Sequence, residues 1–165
     1  MHSAPPVNVF ESNSAQLVRF STQVRPDVVP GQPLNLFAAI YPGGRALNPA
    51  AFVAPPEDPD GNPTRQGTLG RNALRAFGLT QWDFAVHRDF PIYESLKIEF
   101  RAEFFNALNH PNFAPPQPGL GTADFGQTTQ ILAESLGGNV GAGGFNSLYQ
   151  LGGPRSIQFG LKLHF

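Results

Sequence analysis

The last ten residues constrain this chain more than any other stretch. In Ser156-Ile157-Gln158-Phe159-Gly160-Leu161-Lys162-Leu163-His164-Phe165 every second residue (Ile157, Phe159, Leu161, Leu163, Phe165) is apolar, and those between are polar or tiny. Strict period-two alternation predicts a strand with one apolar and one wet face. The pattern runs to the final residue, a bare Phe. Termini of soluble domains usually fray into water, so a strand ending this way needs an apolar phase to receive it.

Transmembrane β-barrels supply that phase: their strands alternate lipid-facing apolar with lumen-facing polar residues, and aromatics girdle the interfaces. The C-terminal pattern resembles the β-signal by which outer-membrane barrels are recognised for insertion. It marks Ile157, Phe159, Leu161, Leu163 and Phe165 as candidate assembly-signal residues. The alternative is the last strand of a soluble, secreted β-sandwich used for binding or adhesion. A sandwich needs about seven strands, and only three stretches here alternate well.

Composition narrows the field further. Gly 18 and Pro 17 together make about a fifth of the chain, and only 14% is charged, close to low-complexity composition. The net charge of -1 gives no global field for nucleic acid or anionic lipid. Without cysteine there is no disulfide framework and no thiolate site. No run approaches the ~20 apolar residues of a transmembrane helix. The start, Met1-His2-Ser3-Ala4-Pro5-Pro6, lacks the basic and apolar regions of a signal peptide. An outer-membrane destination therefore implies that the chain is the C-terminal piece of a longer exported parent.

Two more stretches alternate. In residues 81–90, Trp82, Phe84, Val86, Arg88 and Phe90 share one face, and Gln81, Asp83, Ala85, His87 and Asp89 the other. Arg88 is the exception on the apolar face, and it is expected near a strand end where it can snorkel to the headgroups. In residues 96–105, Leu96, Ile98, Phe100, Ala102 and Phe104 oppose Lys97, Glu99, Arg101 and Glu103. A helix would scatter these apolar residues around its circumference, so a strand is favoured. Joining the two across a turn at 91–95 sets Phe90 opposite Leu96, Val86 opposite Phe100, Trp82 opposite Phe104, Asp89 opposite Lys97, His87 opposite Glu99 and Asp83 opposite Glu103. Asp83, His87, Lys97, Glu99, Arg101, Glu103 and Lys162 are then candidate lumen-facing residues.

The remainder reads as connection. From Arg25 onward prolines and glycines recur every few residues as far as Pro63, and neither helix nor central strand survives that density of lost donors and fixed φ. Pro6–Phe10 reads as the end of a strand, residues 15–24 as a weak strand, and Phe125–Leu132 as a locally pairing segment. In outer-membrane barrels periplasmic turns are short and outer loops long. The expected division is 1–80, a strand end plus a long extracellular loop, and 81–165, the terminal barrel strands. Within the second part, 91–95 is a periplasmic turn and 106–153 an extracellular loop. The fold class expected is all-β: the last three or four antiparallel strands of a large transmembrane barrel, incomplete by themselves.

A series of motifs carries a family resemblance. Arg25-Pro26-Asp27-Val28-Val29-Pro30-Gly31, Asn48-Pro49-Ala50-Ala51-Phe52 and Gly67-Thr68-Leu69-Gly70-Arg71-Asn72-Ala73-Leu74-Arg75 come first. Gln81-Trp82-Asp83-Phe84, Phe100-Arg101-Ala102-Glu103-Phe104-Phe105-Asn106, Asn109-His110-Pro111-Asn112-Phe113 and Pro154 to Lys162 follow in order. The series resembles the C-terminal region of TonB-dependent outer-membrane transporters, of the Oar-like type with an N-terminal carboxypeptidase-regulatory-like domain. The resemblance implies a 22-stranded barrel around a plug, energised through TonB. It also implies partners: outer-membrane lipid, the barrel-assembly machinery and the rest of the parent barrel. The plug and TonB box are missing from this chain, and so few strands cannot close such a barrel, so transport by this segment alone is not expected.

Motifs for other chemistry are weak. The Gly-rich run 137–144 lacks the Gly-Lys-Ser/Thr of a P-loop. Asp58-Pro59-Asp60-Gly61-Asn62 faintly resembles a calcium loop but lacks the closing Glu, and a plain turn accounts for it. His2, His87, His110 and His164 have no metal-ligand spacing. Glu99 and Glu103 could serve as paired carboxylates, although a wall of solvated charges is the simpler account. No catalytic residue, metal site or cofactor is expected.

Overall fold

A computed structural model describes residues 3–11, 23–137 and 151–165. The weak strand expected at 15–24 lies outside the described residues apart from Gln23 and Val24, and the Gly-rich run apart from Gly137. The chain divides into two compact units, one of residues 79–112 and 131–165, the other of residues 3–78 and 113–130. Among the described residues, no helix is long and apolar enough to cross a membrane.

The first unit carries a three-stranded antiparallel sheet. Among the described residues the strands in chain order are β1 (Pro6–Val7), β2 (Phe10–Glu11), β3 (Asp27–Val28), β4 (Asn35–Phe37), β5 (Arg45–Leu47), β6 (Phe52–Val53), β7 (Leu74–Arg75), β8 (Phe84–Tyr93), β9 (Leu96–Phe105), β10 (Gly119–Leu120) and β11 (Ser156–His164). The sheet order is β11-β9-β8. Strands of nine or ten residues form here because alternating β-branched, aromatic and charged side chains leave the ladder free of glycine and proline, except at Gly160 and Pro91.

The hairpin differs from the sequence expectation in position and register. β8 begins at Phe84 rather than Gln81 and runs to Tyr93, so the connection is the two residues Glu94 and Ser95 instead of 91–95. Glu94 takes a left-handed backbone, φ 43, to make the tight reversal. Pro91 lies within the strand, paired with Lys97. An edge strand tolerates it because its missing N–H can be on the unpaired side. The ladder is irregular between Pro91 and Tyr93, a bulge that brings Tyr93 opposite Leu96. Observed partners are Phe90 with Ile98, Arg88 with Phe100, His87 with Arg101, Val86 with Ala102, Ala85 with Glu103 and Phe84 with Phe104. The slip relative to the expected pairs is two residues. An even slip keeps every side chain on its own face.

Residues 3–78, expected as a strand end plus a long connection, form with 113–130 a unit that has its own core. Its strands are two or three residues long and pair as β1 with β7, β2 with β10, β3 with β6 and β4 with β5. They surround a core of Val7, Val9, Leu47, Ala51, Phe52, Leu69, Leu74, Ala76 and Phe125, with Val28, Leu34 and Leu120 packed against it. Phe52 and Phe125 meet edge to face at 5.8 Å. The prolines do prevent long strands, but apolar residues spaced along an irregular path still converge. Part of the second connection, residues 113–130, belongs to this unit rather than to the sheet. The stretch Phe125–Leu132 pairs locally without forming a regular strand: the Gly126 N–H donates to the Gln117 carbonyl at 2.9 Å, the Gln117 N–H to the Gln127 carbonyl at 2.9 Å and the Ala114 N–H to the Gln130 carbonyl at 3.1 Å, and Phe125 is buried in the core.

Candidate functional site

The three-stranded sheet has two chemically opposite faces. On one, Phe84, Val86, Arg88 and Phe90 of β8 line up with Phe104, Ala102, Phe100 and Ile98 of β9. These in turn oppose Ile157, Phe159, Leu161 and Leu163 of β11. Phe84 stacks on Phe104 with ring centroids 4.4 Å apart, and Phe100 stacks on Phe159 at 6.1 Å. Yet these side chains are open: Phe159 is 68% and Leu161 73% exposed, and Phe165, just beyond the strand, 95%. Ala102 is the buried member of the row. An apolar face this large and uncovered is not a stable surface in water.

Arg88 departs from expectation on this face. With β8 running from Phe84 to Tyr93, it sits in mid-strand opposite Phe100, not near a strand end. Its guanidinium lies 5.5 Å from the Phe90 ring centroid, a cation–π contact at an exposed site.

The other face is a ladder of charges. Lys97, Glu99, Arg101 and Glu103 of β9 stand between Pro91, Asp89, His87 and Ala85 on β8 and His164, Lys162, Gly160 and Gln158 on β11. Lys162 is directly opposite Glu99, and His164 Nε2 lies 3.0 Å from Glu99 Oε2. Arg101 pairs with Glu103 along the strand, and His87 lies 3.9 Å from Asp89. The structure therefore brings six of the seven candidate polar residues onto one face. Asp83 is the exception, since it precedes β8. The His164–Glu99 pair was absent from the sequence reading because it is diagonal across the ladder and depends on the β9–β11 register.

Asp83 belongs instead to a polar clasp at the end of the hairpin. Its Oδ1 accepts from the backbone N–H of Asn106 at 2.7 Å and from Gln81 Nε2 at 2.9 Å. Asn106 is 1% exposed and holds a left-handed backbone, φ 47, a conformation Asn tolerates better than most residues. Its Nδ2 donates to the carbonyls of His110 and Gly153, at 2.9 and 2.8 Å. Its Oδ1 accepts from the His110 N–H at 3.0 Å. Asn112 Oδ1 accepts from the Thr80 N–H, and Gln81 Oε1 from the Gly152 N–H. These bonds account for Asn106 and Asn112 in Asn106-Ala107-Leu108-Asn109-His110-Pro111-Asn112, and Asn109 between them holds a left-handed backbone, φ 52. They tie the segment after β9 to the segment before β11.

The motifs of the second unit are likewise structural. Asp27 forms a bidentate pair with Arg65, at 2.8 and 2.7 Å, and accepts from the Thr68 N–H at 2.8 Å. The hydrogen-bonded Arg65 guanidinium lowers the Asp27 carboxyl from 3.8 to about 2, against a smaller opposing push from burial. A Cβ on Gly67 would sit 2.1 Å from the Pro26 carbonyl, so only glycine fits where the two motifs touch. Asn48 caps the short turn ahead of Phe52 through the Ala50 N–H and donates to the Pro33 carbonyl. Asp58 Oδ1 accepts from the N–H groups of Asp60 and Asn62, which makes that stretch an Asx-type turn. Among the described residues no cluster of three metal-binding side chains occurs.

An incomplete sheet with one apolar and one charged face, open at both edges, defines the class of an outer-membrane β-barrel segment. The comparison with protein families agrees: the chain matches the outer membrane beta barrel domain over residues 1–156, and it belongs to that family. No curated protein and no solved structure matches it. The family assignment gives the outer membrane as its location and sets aside the soluble sandwich.

Proposed function

We propose that this chain is the C-terminal barrel portion of a TonB-dependent outer-membrane receptor or transporter, of the Oar-like type, and is not competent for transport by itself. The observation that carries the reading is the open three-stranded sheet, whose apolar face needs lipid and whose edges need further strands. The ordered motif series from Arg25 to Lys162 supports the finer assignment. In this reading Ile157, Phe159, Leu161, Leu163 and Phe165 present the assembly signal, and each buries ~1.5–3 kcal/mol of apolar side chain in lipid. His87, Lys97, Glu99, Arg101, Glu103 and Lys162 line the lumen. The Glu94-Ser95 turn is periplasmic, and the Pro/Gly-rich unit lies outside the cell.

The test has two stages. An antibody to residues 155–165 should detect, in outer-membrane fractions of the source cells, a protein several times larger than 17.8 kDa. Removing TonB from those cells should then stop the energised uptake that depends on this protein while its outer-membrane level stays the same. Uptake unaffected by loss of TonB contradicts the transporter assignment.

A further inference from the structure

The second unit contains a cleft of about 520 Å³, lined among others by Asn8, Phe10, Arg25, Gln66, Arg71 and Asn72. Its size lies within the range of small-molecule sites, ~300–1,000 Å³. Among the described residues its lining is rich in donors and holds no carboxylate. The nearby carboxylate of Asp27 is already committed to Arg65 and Thr68.

The two arginines play different parts. Arg25 is fixed: Nη1 donates to the Leu69 carbonyl at 2.8 Å and Nε to Gln66 Oε1 at 3.4 Å. Those bonds orient the fork, and Nη2 makes no hydrogen bond among the described residues. Arg71 is exposed, and no hydrogen bond or ion pair of its guanidinium occurs among the described residues. Asn8 Oδ1 accepts from the Asn72 N–H at 3.0 Å, which leaves the Asn8 amide NH₂ as a donor and holds Asn72 at the rim. A concavity lined by two arginines and several side-chain amides, with no acidic residue among its described lining, matches an anion with several oxygen acceptors.

We propose that this cleft binds a small oxyanion, a carboxylate- or phosphate-bearing solute, between Arg25 and Arg71. Arg25 supplies the fixed positive wall, and Arg71 closes on the ligand from the rim. The site stands apart from the transport reading, because binding to the chain tests it and uptake does not.

The experiment is calorimetric titration of the full chain, folded in detergent, with citrate and with inorganic phosphate in separate runs, and with sucrose as a neutral control. Saturable binding of either anion, weakened by added salt and absent for sucrose, is expected. Citrate alone would assign a carboxylate ligand, and phosphate alone a phosphoryl one. Arg71→Gln should weaken binding about tenfold or more. Arg71→Lys should weaken it less, and Arg155→Gln should leave it unchanged. Because the Arg71 side chain makes no hydrogen bond or ion pair among the described residues, the near-ultraviolet circular dichroism of Arg71→Gln should match the parent. Failure of both anions to bind, or equal binding by Arg71→Gln and the parent, overturns the proposal.

Discussion

The two units solve the same problem in opposite ways. The sheet of β8, β9 and β11 has long regular ladders and almost nothing buried: every residue of β8 is exposed. The unit of residues 3–78 and 113–130 has strands of two or three residues, yet it encloses a core in which Val9 and Ala51 are fully buried. Backbone hydrogen bonding and apolar burial, usually supplied together, are here separated. A regular ladder without a core is stable only where the surroundings are themselves apolar, since lipid leaves no water to satisfy an unpaired backbone. A core without a regular ladder suits water, which satisfies the irregular backbone from outside. On the proposed reading the sheet lies in lipid and the second unit in water.

Substitutions can break or sharpen this contrast. The largest effect is expected in the water-facing core. Phe52→Ala removes a ring packed on Phe125 and should cost ~3–5 kcal/mol, read as a lowered urea midpoint for that unit, with the sheet's signal unchanged.

The sheet should respond to charge rather than to size. Leu161→Arg places a cation in the apolar row and should cost ~2–4 kcal/mol at mid-bilayer depth, falling towards the interface. Arg88→Leu should act in the opposite direction and stabilise the inserted state, because it removes the one charge on that face. Insertion into vesicles measured by heat-modifiable electrophoresis compares the three proteins. A water-exposed face would show changes within about 0.5 kcal/mol for both.

The clasp is intermediate. Asn106→Ala takes the partner from the His110 N–H and the Gly153 carbonyl, while the His110 carbonyl keeps Asn112 Nδ2 at 3.2 Å, and should cost ~1–3 kcal/mol. Asn106→Gly restores backbone freedom at φ 47 but not the hydrogen bonds. If it is as damaging as alanine, hydrogen bonding dominates; recovery with glycine would show that backbone strain does. Hydrogen exchange of the Ala107 and His110 amides reads both.

The smallest effect is on pH. The folded Asp27 carboxyl titrates near 2, below its ordinary 3.8. A depressed folded pKa contributes stability that is fully present above the unfolded value and lost as pH falls through the folded one. The second unit should therefore weaken between about pH 4 and pH 2, and Asp27→Asn should flatten that part of its denaturation profile. The exposure of Arg65 keeps the effect modest.

How much of this was legible in the sequence follows from the same contrast. In the sheet, side-chain period and burial coincide, so alternation placed β9 and assigned the faces of all three strands. It could not place the hairpin end, because Pro91 reads as a turn signal and the bulge before Tyr93 leaves no mark in composition. That is why Arg88 moved from a strand end to mid-strand and Asp83 from the charged face to the clasp. In the second unit no period exists to be read. Val9, Leu47, Phe52, Leu74 and Phe125 converge from separate segments, and the prolines that forbid long strands conceal the core they surround. The motifs that carried the family resemblance were visible as sequence. Their roles were not, because the Asp27–Arg65 pair and the Gly67–Pro26 contact each join residues about forty positions apart.

The central claim is that the row Ile157, Phe159, Leu161 and Leu163 faces lipid and the row between them does not. The chain has no cysteine, so single cysteines can be placed at each position from 157 to 164 and labelled with an environment-sensitive fluorophore in vesicles of brominated lipid. Quenching should alternate, strong at the odd positions and weak at the even ones. A profile flat along the strand, or strongest at the even positions, would contradict the outer-membrane account of this sheet.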